Sequence, residues 1–194
     1  LKDLDAVTSG FHNSDLIIIA GRPGMGKTTG MVQFAINVAN EAGNVALFSL
    51  EMSTDQLHQR LISNLTSINS AKFRSEGFTS QEQKHIAEAL DHPVNSRVIL
   101  DDKSNMTAFS LRSKCRRWAK RYGLSAVFVD YLQLLNSKSG DNRDQELGHI
   151  TRACKQIAKE LNVPIILYSQ LSRQVEQRGG MKRPQLSDLR ESGN

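Results

Sequence analysis

An apolar run of β-branched residues leads directly into a glycine-rich turn that carries a lysine and a threonine. The run is DLIIIA, residues 15–20, and the turn is GRPGMGKT, residues 21–28, which fits the pattern G-x-x-x-x-G-K-[S/T] throughout. A helical pattern follows from Lys27 to Glu41. A strand that passes through such a turn into a helix is the context in which this pattern binds phosphate. The sequence therefore predicts a nucleotide-binding strand–loop–helix unit.

The rest of the chain continues the alternation of strands and helices. Further apolar runs predict strands at residues 44–50, 97–100, 126–130 and 163–169. Helical patterns occupy residues 54–65, 80–90, 110–122 and 144–161. Uniformly apolar strands between helices are typical of a mostly parallel sheet with helices on both faces. We expect one α/β domain over residues 1–194, truncated at its C-terminal side because no closing strand follows.

Two local features of the helices are predicted in more detail. The first helix is expected to bury one face, and Gly43 to end it. That face would consist of Met31, Phe34, Ala35, Val38 and Ala39. The helix at residues 80–90 is expected to begin with Ser80 as N-cap and Gln83 as its capping-box partner.

Composition excludes some classes of protein and leaves others open. The 194 residues are 39 % hydrophobic, which suits a globular domain, and no apolar run reaches the roughly 18 residues of a membrane helix. The net charge of +5 is compatible with a polyanionic partner without requiring one. Cys115 and Cys154 lack metal-site spacing, which predicts two reduced thiols on helices and a cytoplasmic setting.

The glycine-rich turn predicts the ligands of ATP and Mg²⁺. Its glycines allow backbone N–H groups to surround phosphates, Lys27 reaches the β and γ phosphates, and the Thr28 hydroxyl binds Mg²⁺. Asp130 ends the run AVFVD and fits the Walker B aspartate that holds Mg²⁺, usually through water. The residues expected to contact the nucleotide are Gly21, Arg22, Pro23, Gly24, Met25, Gly26, Lys27, Thr28 and Thr29.

Hydrolysis also needs a group that orients or deprotonates the attacking water. Glu51 follows a predicted strand directly, and carboxyl ends of parallel strands face the ligand crevice. Asp101 and Asp102 also end a strand, so position alone does not choose Glu51. Gln170 follows the last strand, where it is either a γ-phosphate sensor or a simple polar loop residue.

Six stretches, in order, resemble the C-terminal motor domain of DnaB-type replicative helicases of bacteria and phages. They are LDAVTSGFHNSDLIIIAGRPGMGKTT, FSLEMSTDQLHQRL, SKCRRWAKRYGL, VFVDYLQLL, ELNVPIILYSQLSRQVEQR and KRPQLSDLRESG. The resemblance implies a RecA-like P-loop NTPase fold and an ATP-driven, 5′-to-3′ type helicase motor. Such motors move on single-stranded DNA as a homo-hexameric ring, with primase and a helicase loader as further partners.

The same resemblance implies roles for individual residues. Glu51 matches the catalytic glutamate, Gln170 the γ-phosphate sensor and Asp130 the Walker B aspartate. The segment that grips the DNA backbone is matched by Arg190, Glu191 and Gly193. The family's arginine finger, N-terminal domain and linker helix are expected outside these 194 residues, so the chain alone is expected to hydrolyse ATP weakly.

Other functions remain open at this point. A RecA-like recombinase shares the phosphate loop, although FSLEMS and SDLRESG do not resemble its motifs. A small-molecule kinase would need an acceptor pocket and a lid. A nucleotide-gated assembly or loading module would bind partners without unwinding DNA. The basic helix at residues 110–122 spreads its charges around its circumference, which favours an ordinary solvated surface.

Overall fold

The computed structural model describes residues 2–75, 77–130 and 143–171. The strands are β1 (Leu16–Gly21), β2 (Val45–Ser49), β3 (Val98–Asp101), β4 (Ala126–Asp130) and β5 (Ile165–Gln170). The helices are α1 (Lys2–Thr8), α2 (Lys27–Glu41), α3 (Thr54–Thr66), α4 (Ser80–Leu90), α5 (Val94–Arg97), α6 (Ala108–Tyr122) and α7 (Arg143–Leu161), with a 3₁₀ turn at Ser70–Arg74. The alternation of strands and helices predicted from the sequence is therefore confirmed in these ranges.

The five strands form one sheet in the order β1-β5-β4-β2-β3, and every neighbouring pair is parallel. Parallel pairing brings all the carboxyl ends of the strands to one edge. The register there is direct: Gly21 pairs with Gln170, and Asp130 lies between Tyr168 on β5 and Ser49 on β2. Residues far apart in sequence are thus brought together beside the phosphate loop.

Each face of the sheet buries its own hydrophobic core. Side chains alternate along β4, so Phe128 packs into the core that includes α2 and α3, whereas Val129 packs into the core that includes α6 and α7. Phe48 also lies in the second core, where its ring stacks on Trp118 with centroids 5.1 Å apart. Two buried faces explain why the strands are apolar throughout and do not alternate with polar residues.

The buried face of α2 differs from the predicted one. The residues fully buried on this helix are Met31, Val32, Ala35, Ile36 and Ala39. Phe34 and Val38 were expected among them, but both are only partly buried. The helix packs against α3 as well as the sheet, which turns the buried arc towards Val32 and Ile36. The helical spacing of the buried residues was predicted correctly, but the position of the buried face around the helix was not.

The predicted cap of α4 is wrong by one residue. Thr79, not Ser80, is the N-cap, and Glu82, not Gln83, completes the capping box. The Thr79 hydroxyl accepts a hydrogen bond from the Glu82 N–H at 3.2 Å, and the Glu82 carboxylate accepts one from the Thr79 N–H at 2.9 Å. Two adjacent hydroxyl residues each fit the pattern, and only the path of the backbone decides between them.

Both cysteines are free and buried, Cys115 on α6 and Cys154 on α7, as the sequence predicts. Burial raises the pKa of each thiol to about 12, so neither ionises at neutral pH. Across the described ranges, no helix combines the length and the apolar character that crossing a membrane requires.

Candidate nucleotide-binding site

The phosphate loop joins the end of β1 to the start of α2. Gly26 caps α2 with a φ of +81°, a left-handed conformation that glycine adopts without strain. Lys27 then folds back across the loop, and its Nζ donates hydrogen bonds to the carbonyl oxygens of Gly21 and Arg22, each at 3.2 Å. These acceptors are weaker than a phosphate oxygen, so an incoming phosphate can take over the lysine.

Gly21 gives the lysine its space. A Cβ atom at this position would lie 3.3 Å from Lys27 Cγ, closer than ordinary van der Waals contact. The absence of a side chain at the end of β1 therefore lets the stem of Lys27 run alongside the backbone. This is a steric requirement for glycine that is separate from the conformational one at Gly26.

Asp130 is fixed beneath this loop by Thr28. The Thr28 hydroxyl donates a hydrogen bond of 2.7 Å to Asp130 Oδ2. Asp130 is only 1 % exposed, and in the described ranges its Oδ1 has no hydrogen-bond partner. Burial raises the pKa of this carboxyl above its ordinary value; the Thr28 hydrogen bond acts in the opposite direction, and the nearby charge of Glu51 raises the pKa further. A buried, incompletely satisfied carboxylate is suited to a cation.

These donors fit Mg²⁺ in number and type. The hydroxyl of Thr28 and the free oxygen of Asp130 are hard oxygen ligands, which Mg²⁺ prefers. No cluster of three or more His, Cys, Asp or Glu side chains occurs among the described residues. A magnesium site with few protein ligands is the usual arrangement where phosphates and water complete the coordination.

Glu51 lies beside the same carboxylate, and a tight turn holds its backbone there. The Leu50 N–H donates to the Asp130 carbonyl at 2.7 Å, which continues the pairing of β2 with β4. The buried Ser49 hydroxyl accepts a hydrogen bond of 3.0 Å from the Met52 N–H. Glu51 therefore projects from a constrained turn, is exposed, and is close enough for its charge to affect Asp130.

The alternative carboxylates, Asp101 and Asp102, are engaged elsewhere. Asp101 forms an ion pair with Lys114 of α6. Asp102 accepts a hydrogen bond of 2.8 Å from the Thr54 N–H at the start of α3, and that bond lowers the pKa of its carboxyl. Asp101 is the last residue of β3 and Asp102 follows it, and β3 is separated from β4 by β2. The geometry therefore favours Glu51 as the carboxylate near the cation position.

Gln170 lies next to the phosphate loop. It is the last residue of β5, in register with Gly21, and the N–H of the following Leu171 donates to the Gly21 carbonyl at 3.1 Å. The pairing of β1 with β5 thus brings Gln170 to the loop from a position 149 residues later in the chain. A γ-phosphate on this loop would lie along the same edge of the sheet.

Arg60 and Tyr168 adjoin the site without having been predicted. Arg60 Nη1 donates to the Thr29 hydroxyl at 3.0 Å, and the charge of Arg60 opposes the rise in the pKa of Asp130. Tyr168 lines a cavity of about 540 Å³ that also reaches Lys27 and Phe34. No local motif marks either residue, although Tyr168 stands two positions before Gln170 on the same strand.

Three basic side chains of the helix α6 form ion pairs within the protein. Arg112 and Arg116 both form ion pairs with Glu160 of α7, at 2.7 and 3.0 Å, and Lys114 pairs with Asp101. These contacts agree with the expectation of an ordinary protein surface. The residues predicted to contact DNA, namely Arg190, Glu191 and Gly193, lie outside the described residues.

Comparisons with known proteins identify the family that the chain resembles. A family model described as DnaB-like helicase C terminal domain matches residues 1–194. The replicative DNA helicase DnaB of Geobacillus stearothermophilus is 44 % identical over 195 residues, covering 99 % of this chain and 43 % of that protein. A solved DnaB-like replicative helicase, described with its interactions with primase, has a TM-score of 0.91 and 38 % identity, covering 100 % of this chain and 47 % of that one.

A more distant neighbour shares the fold alone. The RadB recombinase has a TM-score of 0.56 at 21 % identity, covering 94 % of this chain and 73 % of that one. Together with the parallel sheet, these neighbours confirm the prediction of a RecA-like α/β fold. The chain spans less than half the length of the two helicases.

Proposed function

The chain belongs to the DnaB-like helicase C-terminal domain family, and from this membership we propose that it is the ATP-hydrolysing motor of a replicative DNA helicase. The observation that carries the proposal is the contact between the buried Asp130 and Thr28, the residue next to Lys27 in the phosphate loop, within a chain that the family model matches from end to end. Those three side chains are the ones that a P-loop motor needs for Mg²⁺ and phosphate.

The proposed division of roles follows from these positions. The loop residues 21–29 hold the nucleotide, and Lys27 moves from the loop carbonyls to the β and γ phosphates. Thr28 and Asp130 would hold Mg²⁺, which would supply positive charge that offsets the charge of the phosphates. Glu51 orients and deprotonates the attacking water. Gln170 hydrogen-bonds the γ-phosphate and responds to its loss.

We further propose that the motor moves on single-stranded DNA as a homo-hexamer, in the cytoplasm of a bacterium or a phage-infected host. Arg190, Glu191 and Gly193 would grip phosphates and sugars, so sequence preference would be small. ATP hydrolysis would change the affinity of one subunit interface relative to another, which moves these grips. A primase is proposed as a partner, since a related helicase is described with primase. A helicase loader is proposed as a further partner on the family resemblance alone.

The test is steady-state ATPase activity of the intact protein with and without single-stranded DNA. Wild type is compared with Lys27→Ala, Arg190→Ala and Lys120→Ala, the last being a matched loss of charge on exposed α6. We expect strong stimulation by DNA, which Lys27→Ala abolishes and Arg190→Ala blunts while basal turnover persists. Lys120→Ala should behave as wild type.

Three other functions predict different results. Turnover that is indifferent to DNA would leave an ATP site but reject the helicase in favour of an assembly module or a kinase. DNA-stimulated turnover with homologous strand pairing, and without strand displacement, would favour a recombinase. The similarity to RadB is one of fold and gives that alternative little weight.

A further inference from the structure

A charged hydrogen bond joins α2, which follows the phosphate loop, to α3, which follows Glu51. Arg60 of α3 donates through Nη1 to the Thr29 hydroxyl of α2 at 3.0 Å. The arginine is half-buried, and its charge also acts on the carboxylate of Asp130. A positive charge that no local motif predicts is therefore fixed beside the phosphate loop.

The contact determines which way the Thr29 hydroxyl can act. A guanidinium has donors only, so the hydroxyl must accept from Arg60, and its own proton is left to point elsewhere. Among the described residues, that proton has no acceptor. Thr29 lies in the first turn of α2, where backbone N–H groups lack partners within the helix and attract anions. The hydroxyl proton is therefore available to an acceptor that enters the loop from outside.

The two adjacent threonines are set in opposite senses by their partners. Thr28 donates its proton to Asp130 Oδ2 at 2.7 Å, which leaves its lone pairs for a cation. Thr29 accepts from Arg60, which leaves its proton for an anion. A phosphate oxygen accepts hydrogen bonds, and a metal ion takes lone pairs, so each hydroxyl matches one component of a nucleotide–metal complex.

The packing of α3 against α2 does not depend on Arg60 alone. Leu57 and Leu61 of α3 are buried in the core that α2 shares. One turn further along both helices, Asn64 Nδ2 donates to Gln33 Oε1 at 3.0 Å. This second contact is uncharged and lies farther from the phosphate loop, so it provides a matched control for the first.

We propose that Arg60 is a positioning residue, which turns the Thr29 hydroxyl so that its proton is donated to a phosphate oxygen of the bound nucleotide. The charge of the guanidinium polarises the hydroxyl and strengthens that donation. The inference rests on the proposed function, because it assigns Arg60 to the same nucleotide site.

The test is a double-mutant cycle on the binding of a fluorescent ADP analogue to the intact protein with Mg²⁺. Arg60→Met keeps an unbranched side chain without the donor, and Thr29→Val keeps the shape of threonine without the hydroxyl. We expect ADP binding to weaken about tenfold in Thr29→Val and about fivefold in Arg60→Met, because hydrogen bonds to charged groups are among the stronger ones. The double variant should weaken it by only about tenfold, and not by the roughly fiftyfold of independent effects.

Two further variants complete the test. Arg60→Lys keeps a charge and a donor and should recover most of the affinity that Arg60→Met loses. Asn64→Leu removes the neighbouring contact between the same helices and should bind ADP as wild type does.

Three results would overturn the proposal. Losses that multiply in the double variant would mean that Arg60 acts on the nucleotide through its charge and not through Thr29. An equal loss in Asn64→Leu would mean that the affinity depends on the α2–α3 contact in general. Thr29→Val that bound ADP as wild type does would mean that its hydroxyl donates to no phosphate. In these cases the proposed function would stand, whereas wild type that failed to bind ADP would reject both.

Discussion

Replacing Asp130 with Asn should stabilise the nucleotide-free protein while removing its response to Mg²⁺. The carboxyl is buried, and burial raises its pKa above the ordinary value of 3.8. The folded state therefore binds this proton more tightly than the unfolded state does. As the pH rises from 3.8 through the folded pKa, the free energy of unfolding falls, and it stays lowered above that window. Asn at this position keeps an oxygen for Thr28 and carries no charge.

The magnitude follows from the linkage between the pKa and stability. Each tenfold change in the proton-dissociation constant corresponds to about 1.4 kcal/mol of unfolding free energy at neutral pH. In a domain of this size, 1 kcal/mol shifts the melting temperature by roughly 2–4 °C, and the variant is expected to melt at a higher temperature than wild type in the absence of nucleotide. Wild type should gain about 2.7 kcal/mol from a nucleotide–Mg²⁺ complex at 100 times its dissociation constant, and Asp130→Asn should not.

Thermal unfolding of wild type and variant, with EDTA, with ADP and with ADP plus Mg²⁺, measures both effects. Asp101→Asn is the matched control, because this carboxylate also ends a strand but is paired with Lys114. It should lower the melting temperature in every buffer and leave the Mg²⁺-dependent gain intact. The reasoning would be refuted if Asp130→Asn melted below wild type in EDTA and still gained full stability from Mg²⁺.

Two further predictions concern the turn that carries Glu51 and the start of α4. Ser49→Ala removes the hydroxyl that accepts the Met52 N–H within that turn. Because Glu51 is then less well positioned, we expect kcat to fall about tenfold, equivalent to about 1.4 kcal/mol more activation free energy, with nucleotide affinity unchanged. The control is Ser96→Ala, which removes a surface hydroxyl that donates to the Pro93 carbonyl of its own helical turn. If Ser49→Ala lowered nucleotide affinity as much as kcat, the role assigned to the turn would be contradicted. At α4, the hydrogen bond from Lys72 and the N-cap backbone hold the pKa of Glu82 at about 2. This depressed pKa stabilises the folded state above pH 4.5, and the stabilisation is lost as the pH falls from 4.5 towards 2. Urea unfolding at a series of pH values should show a shallower acid decline in Glu82→Gln, and a parallel decline would reject the linkage.

The sequence alone predicted those parts of the site whose residues are close together in the chain. The spacing within residues 21–28 specifies a phosphate loop because the loop, its flanking strand and its helix are consecutive in the chain. The position of Asp130 at the end of an apolar strand was equally local, and the contact with Thr28 agrees with its predicted place in the site. The apolar strands and the helical periodicity predicted the fold class, since a strand whose two faces are both covered by helices is apolar throughout.

The sequence could not choose among residues that occupy equivalent local positions. Glu51, Asp101 and Asp102 all lie at or just after the carboxyl ends of strands, and the strand order separates them by placing β2 beside β4 and β3 beyond it. Thr79 and Ser80 are both acceptable caps, and the backbone path selects the first.

Tertiary structure alone decided which distant residues adjoin the site. Tyr168 and Asp130 are neighbours because β4 and β5 pair in one register, and that register depends on the packing of both sheet faces against helices. Arg60 reaches Thr29 because α3 packs beside α2. A linear sequence specifies the chemistry that each residue can contribute, whereas the pairing of segments determines which of those groups act on the same ligand.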